Sequence, residues 1–210
     1  MRLIVLDTET TGLDPDDGHK IIEIGCVEII NREVTQNVFH RYINPNREID
    51  AEASKIHGMT LSNLKDKPIF EEIYKEFSDY ISDSPVIIHN APFDVGFIKK
   101  EIINIYNNNL SFDNQIIDSL KLARSIAPGK RNSLDALCER YKVDNSDRNF
   151  HGALLDAKLL AYVYLKMTIG QNNFSNLKVA EEVVQEDTTL TDHNFRVIQA
   201  SKEETMLHKK

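Results

Sequence analysis

The sequence predicts an α/β fold: a mixed five-stranded sheet flanked by helices, followed by a flexible C-terminal tail. Three observations lead there. Runs with strand character come first, and strands then alternate with amphipathic helical patterns, the order expected of a sheet with helices on its faces. Two of the early runs are separated only by the turn signal Asn31-Arg32, which makes them an antiparallel hairpin. Beyond about Gly170 the patterning stops and the composition turns polar, amide-rich and acidic.

Residues 2–6 (RLIVL) are an apolar run ending at Asp7 and read as a buried strand. Lys20 to Ile30 and Val34 to Ile43, rich in β-branched and aromatic residues, form the hairpin. A loop with Pro45 leads to a short helix around Glu52 to Ile56. After Pro68, the spacing of Ile69, Ile73, Phe77 and Ile81 predicts an amphipathic helix. Residues 85–89 (PVIIH) read as a fourth strand, and Pro92 opens a helix to about Tyr106, which puts Asp94 in the first turn if Ala91 is the cap. Ile116-Ile117 reads as an edge strand. Helices follow from Ser119 to Ile126, from Ser133 to Tyr141 and from Ala153 to Met167, the first of them broken by Pro128-Gly129. Residues 1–170 make one domain, 171–193 a linker, and 194–210 a tail in which Phe195 to Ile198 has strand character and Ser201 has capping-box spacing to Glu204.

Composition narrows the function. With 41% hydrophobic residues in 210, the chain buries a full core, and no apolar run is long enough to span a bilayer. The N-terminus lacks a signal-peptide layout, so a cytoplasmic location and no membrane partner are expected. Cys26 and Cys138 have no Cys or His at ligand spacing and read as reduced, buried thiols. The net charge of −8 argues against sequence-blind binding along a long duplex, which needs many phosphate contacts. It leaves room for binding a nucleic-acid end, where bound cations supply local positive charge.

Chemistry concentrates in three places. Asp7 and Glu9 lie two apart in IVLDTETTGLD, so their side chains share a face of the strand. Asp94 lies in IIHNAPFDVGF, in the first turn of a helix after a buried strand. Alone it reads equally well as a complement to the helix dipole. His151 and Asp156 lie in HGALLDAK. Five residues on a helix are about 140° apart, so His151 belongs on a lead-in freed by Gly152, with Asp156 one turn into the helix. Taken singly, each of these residues reads as an exposed acid or a surface histidine. Taken together, carboxylates without cysteine suit two divalent cations, Mg²⁺ or Mn²⁺, gripping a displacement at phosphorus. A histidine titrating near neutrality suits the general base.

These motifs resemble the DEDD-type 3′→5′ exonucleases of the histidine-containing subclass. DTETTG carries Asp7 and Glu9, HNAPFD carries Asp94, and HGALLDA carries His151 and Asp156, so all the expected positions are filled in order. The resemblance implies a ribonuclease-H-like fold, Asp7, Glu9, Asp94 and Asp156 as metal ligands, His151 as base, and release of nucleoside 5′-monophosphates. GHKIIEIG, PGKRNSLDALC and HGALLDA are more similar to the epsilon proofreading family of bacterial DNA polymerase III than to RNA-degrading relatives. Residues 1–170 carry this likeness well. By it, single-stranded or frayed 3′ DNA ends are the substrate, RVIQASKEE in the tail holds the polymerase alpha subunit, and the theta subunit is a further partner. The sliding-clamp peptide of that family would fall at Gln171 to Asn176. Gln171 and Phe174 are kept, but Asn176 stands where an aromatic residue is usual, which speaks against clamp binding.

The same resemblance places Thr8, Thr10 and Leu13 around the terminal nucleotide. Leu13 either wedges between the last two bases or folds back on the core. His57 either contacts the end nucleotide or closes the short helix before Gly58. Asn90 and Phe93 shape the same pocket, with core packing the alternative for Phe93. Lys130 and Arg131 either touch phosphates or sit in a solvated loop before a helix capped by Asn132 or Ser133. Two other functions compete: an RNA exonuclease of the same superfamily, which the 2′-hydroxyl would decide, and an interaction subunit that mainly stabilises a polymerase.

Overall fold

A computed structural model describes residues 1–106, 110–146, 148 and 150–169. Its sheet has five strands: β1 (Arg2–Thr10), β2 (Ile21–Ile30), β3 (Glu33–Tyr42), β4 (Val86–Ile88) and β5 (Ile116–Asp118). Their order is β3-β2-β1-β4-β5. β1, β2 and β3 pair antiparallel, while β4 and β5 run parallel to β1. The mixed sheet expected from the sequence is present. The hairpin between β2 and β3 turns at Asn31 and Arg32, both at positive φ (50° and 69°), the primed-turn geometry that matches strand twist.

The described residues include seven α-helices in chain order: α1 (Ala51–His57), α2 (Leu61–Leu64), α3 (Phe70–Ile81), α4 (Ala91–Tyr106), α5 (Ser119–Ile126), α6 (Leu134–Tyr141) and α7 (Ala153–Met167). Alternation along β1 and β2 assigns the faces. Ile4, Leu6, Ile24 and Cys26 join Val86 and Ile88 in one cluster with Phe77 and Ile81 of α3 and Phe97, Ile98 and Ile102 of α4. The other positions, Leu3, Val5, Val27 and Ile29, are also buried. On that side α7 packs against β1 and β2, with α6 beside it. With both faces covered, the central strands read as continuous apolar runs, as RLIVL and IIEIGCV do. Cys26 and Cys138 are free and buried, as expected. No helix among the described residues is long and apolar enough to cross a membrane.

Three local differences from the sequence reading matter. β1 extends past the apolar run 2–6, through Asp7 and Glu9 to Thr10, because β2 offers its backbone a partner throughout. A ladder needs no apolar side chains, so the polar segment DTET gave no periodic signal. Ala91 is the first residue of α4, not its cap. Asn90 precedes it at φ 66°, and its carbonyl accepts the Phe93 N–H at 3.1 Å. Asparagine tolerates this left-handed conformation better than most residues. The 3-10 turn Pro15–Asp17 and the four-residue α2 are also new, being too short to show a period. The linker 171–193, the tail 194–210 and the clamp-peptide segment lie outside the described residues.

Candidate active site

The site opens where β1 outruns β4. These two strands pair only at Ile4–Val86 and Val5–Ile87. Beyond that point β2 still flanks β1, with Asp7 opposite Gly25 and Glu9 opposite Glu23, but the other edge of β1 is free. The side chain of Asp94 takes the place of a strand there. Its Oδ1 accepts the Thr8 N–H at 3.1 Å and the Thr8 hydroxyl at 2.7 Å. Asp94 is 3% exposed in the first turn of α4. The turn at Asn90 and the start of α4 therefore deliver a carboxylate to the Thr8 N–H at the open edge of β1.

The second wall is the start of α7. Gly152 is its cap and Asp156 lies in its first turn, with its N–H on the Gly152 carbonyl at 2.9 Å. His151 precedes the helix and is exposed, and its N–H is held by the Ile56 carbonyl at 3.1 Å. Gly25 permits this approach. A methyl there would lie 2.2 Å from the Leu154 nitrogen and 2.3 Å from the Ala153 carbonyl carbon. Ligand atoms of Glu9, His151 and Asp156 all lie within 4.8 Å of one another. Asp7, Glu9, Asp94, His151 and Asp156 thus line one cleft of about 250 Å³, together with Thr8, Asn90 and Phe93. A larger groove of about 640 Å³ beside Arg47 and Glu101 carries none of these groups.

A family model described as "Exonuclease" matches residues 4–164. The chain belongs to the exonuclease family. Among curated proteins it is 49% identical to the DNA polymerase III subunit epsilon of Buchnera aphidicola subsp. Schizaphis graminum, over 99% of this chain and 94% of that one. The same subunit of Pasteurella multocida is 52% identical over 88% of this chain and 76% of its own length. Within the family the chain falls with the epsilon subunits, the proofreading 3′→5′ exonucleases of replication. Among solved structures, exonuclease X in complex with 5′-overhanging duplex DNA is 28% identical with a TM-score of 0.64, covering 79% of this chain and 90% of that one. The nuclease domain of 3′hExo bound to rAMP has a TM-score of 0.68 at 19% identity, over 79% and 90% of the two chains, and shows the shared fold. A nuclease of this fold works with divalent cations.

The electrostatics of this exonuclease site suit such cations. Burial, then Asp94, Glu9 and Asp156, push the Asp7 carboxyl well above the usual carboxylate range. Burial, then Asp156, Glu23 and Asp94, push Glu9 up to about 8. Burial raises Asp94 to about 7 against the pull of its Thr8 hydrogen bonds. Buried acids that cannot all ionise side by side require a counter-charge. Their donor set, carboxylate oxygens with no thiolate, fits Mg²⁺ or Mn²⁺.

Arg148 at the site and His19 near it carry no signal in the sequence motifs. Arg148 forks onto Asp156, with Nε 2.7 Å from Oδ1 and Nη2 on Oδ2, while Nη1 reaches Asp135. Burial raises the Asp156 carboxyl, but hydrogen bonds from His151 and Arg148 outweigh it and hold the group below its ordinary value. Arg148 stands outside any motif or periodic segment, so no local signal marked it. His19 lies against Gly12, with Nδ1 3.1 Å from the Thr11 hydroxyl and Nε2 3.5 Å from Asp50, and so ties the TTG turn to the start of α1.

The expected nucleotide-pocket residues divide. Thr8, Asn90 and Phe93 line the cleft. Thr10 does not, because its hydroxyl is spent on the Gly12 carbonyl at 2.6 Å. Leu13 is 82% exposed rather than folded back on the core. His57 is buried at the end of α1, its Nδ1 accepts the Met59 N–H, and its Nε2 has no partner among the described residues. Lys130 and Arg131 are exposed, and Ser133 is the cap of α6.

Proposed function

We propose that this exonuclease removes nucleotides from single-stranded or frayed 3′ DNA ends as the proofreading activity of a DNA polymerase III. The convergence of four carboxylates and His151 in one cleft carries the reading. Asp7, Glu9, Asp94 and Asp156 would hold two divalent cations, Mg²⁺ or Mn²⁺. Bound there, the ions supply charge neutralisation and a more acidic water.

The chain's own groups do the rest. His151 takes the proton from the attacking water, the new oxygen–phosphorus bond forms, and the bond to the leaving 3′-oxygen breaks, releasing a nucleoside 5′-monophosphate. His151 Nδ1 lies 2.9 Å from Arg148 Nη2 and 3.3 Å from Asp156 Oδ2, so it faces a donor and an acceptor together. Thr8 keeps Asp94 turned toward β1. Asn90 and Phe93 shape the wall beside the terminal nucleotide. The buried Nε2 of His57, without a hydrogen-bond partner among the described residues, suits a nucleotide oxygen. The exposed Leu13 suits a wedge between the last bases. Selectivity for errors follows from physics rather than base contacts, since a mispaired end unpairs at lower cost.

The tail 194–210 would hold the polymerase alpha subunit and the theta subunit would be a further partner, with 171–193 as linker and the cytoplasm as location. Asn176 weighs against clamp binding. The test is digestion of 5′-labelled single-stranded DNA and RNA of one sequence, with Mg²⁺, Mn²⁺ or EDTA. A metal-dependent ladder shortening from the 3′ end, faster on DNA, is expected. Preference for RNA would move the chain to RNA processing, and no cleavage by folded protein would favour a purely stabilising subunit.

A further inference from the structure

We infer that Arg148 is the standing counter-charge of the unloaded site, and that a divalent cation must displace it from Asp156 to bind. The inference rests on reading the carboxylates as cation ligands. Arg148 lies between α6 and α7, and its side chain is 6% exposed. Among the described residues lining the cleft it is the one Lys or Arg, set against Asp7, Glu9, Asp94 and Asp156. Its fork occupies both oxygens of Asp156, with Nε 2.7 Å from Oδ1 and Nη2 2.5 Å from Oδ2. The same Nη2 lies 2.9 Å from His151 Nδ1. One guanidinium therefore touches both a carboxylate of the site and the histidine.

Such a bidentate pair is strong and directional. A cation using the same oxygens has to break at least half of it, and a fixed positive charge beside the site repels the ion as well. Asp135, which meets Nη1 from the exposed end of the contact, gives the guanidinium a second carboxylate at the rim once Asp156 lets go. Release of Arg148 then exposes Asp156 and His151 Nδ1 together. Entry of the cation and availability of the base become one event.

Calorimetric titration with Mn²⁺ tests this on the full chain, with thermal unfolding in EDTA alongside. Arg148→Gln should bind Mn²⁺ on the order of tenfold more tightly, the equivalent of one lost charge-assisted hydrogen bond. It should also unfold at a lower temperature in EDTA, because Asp156 loses its partner. Arg148→Lys keeps the charge but not the fork. It should bind more tightly than the wild type by a smaller factor, and it decides the matter if the Gln variant does not fold. A residue that merely supports the site would give weaker binding on removal. Unchanged or weaker Mn²⁺ affinity in either variant overturns the inference. If the wild type binds no Mn²⁺, the cation reading itself falls and the inference goes with it.

Discussion

His151 and Glu9 give the two clearest consequences of individual side chains. His151 is exposed and outside α7, held by its backbone rather than by packing. His151→Ala should therefore lose about 10²- to 10⁴-fold in rate while keeping Mn²⁺ binding and its unfolding temperature. A full rate at neutral pH would remove it from the base role. Glu9 and Asp94 titrate near 8 and 7 in the folded protein, against about 4 in an unfolded chain. Between those values these two carboxyls bind more protons in the folded protein than in the unfolded one, so their contribution to stability in EDTA falls as pH rises from about 5 to about 8, and the raised Asp7 acts in the same sense. Asp156, held low, acts in the opposite sense toward acid pH, and His57 and His89, lowered by burial, oppose the trend below about 6.5 without depending on Glu9. Glu9→Gln should flatten the descent of the unfolding temperature, and an equal slope in both proteins would refute the assignment. The acids and His151 were legible in sequence because three short motifs present them. Arg148, Gly25 and His19 were not, because what they do depends on neighbours distant in the chain.

Geometry at the site comes from strand and helix lengths. β4 is three residues long and β1 nine, and that mismatch leaves the Thr8 N–H for Asp94. Periodicity announced α3 and α7, and turn chemistry announced the hairpin. The register that sets Asp7 opposite Gly25 is a long-range pairing that no local pattern contains. Gly25 shows what depends on it. Gly25→Ala would force the first turn of α7 off β2, at a cost of about 1–3 kcal/mol for overpacking. Because that turn carries Asp156, activity should fall at least about 100-fold, beyond what the stability loss explains. Urea unfolding and the cleavage rate, measured together, check this. A variant that is stable and fully active would mean that α7 can shift without disturbing the site.

For the whole chain, the order of strands and helices was enough to give the α/β class, because only a few topologies bury such elements well. The proposed polymerase contact belongs to the tail, outside the described residues. A chain ending near residue 175 should keep its nuclease rate and lose binding to the polymerase alpha subunit in a pull-down. Undiminished binding would move the contact into the nuclease domain. The central claim is that the carboxylate cleft at the open edge of β1 is the nuclease site. The most direct measurement is the Mg²⁺-dependent release of 3′-terminal nucleotides from single-stranded DNA by Asp7→Ala, with folding confirmed by its unfolding temperature. A loss of at least about 100-fold, the upper range for supporting groups around a metal, is the predicted result. Cleavage at the wild-type rate would contradict the account.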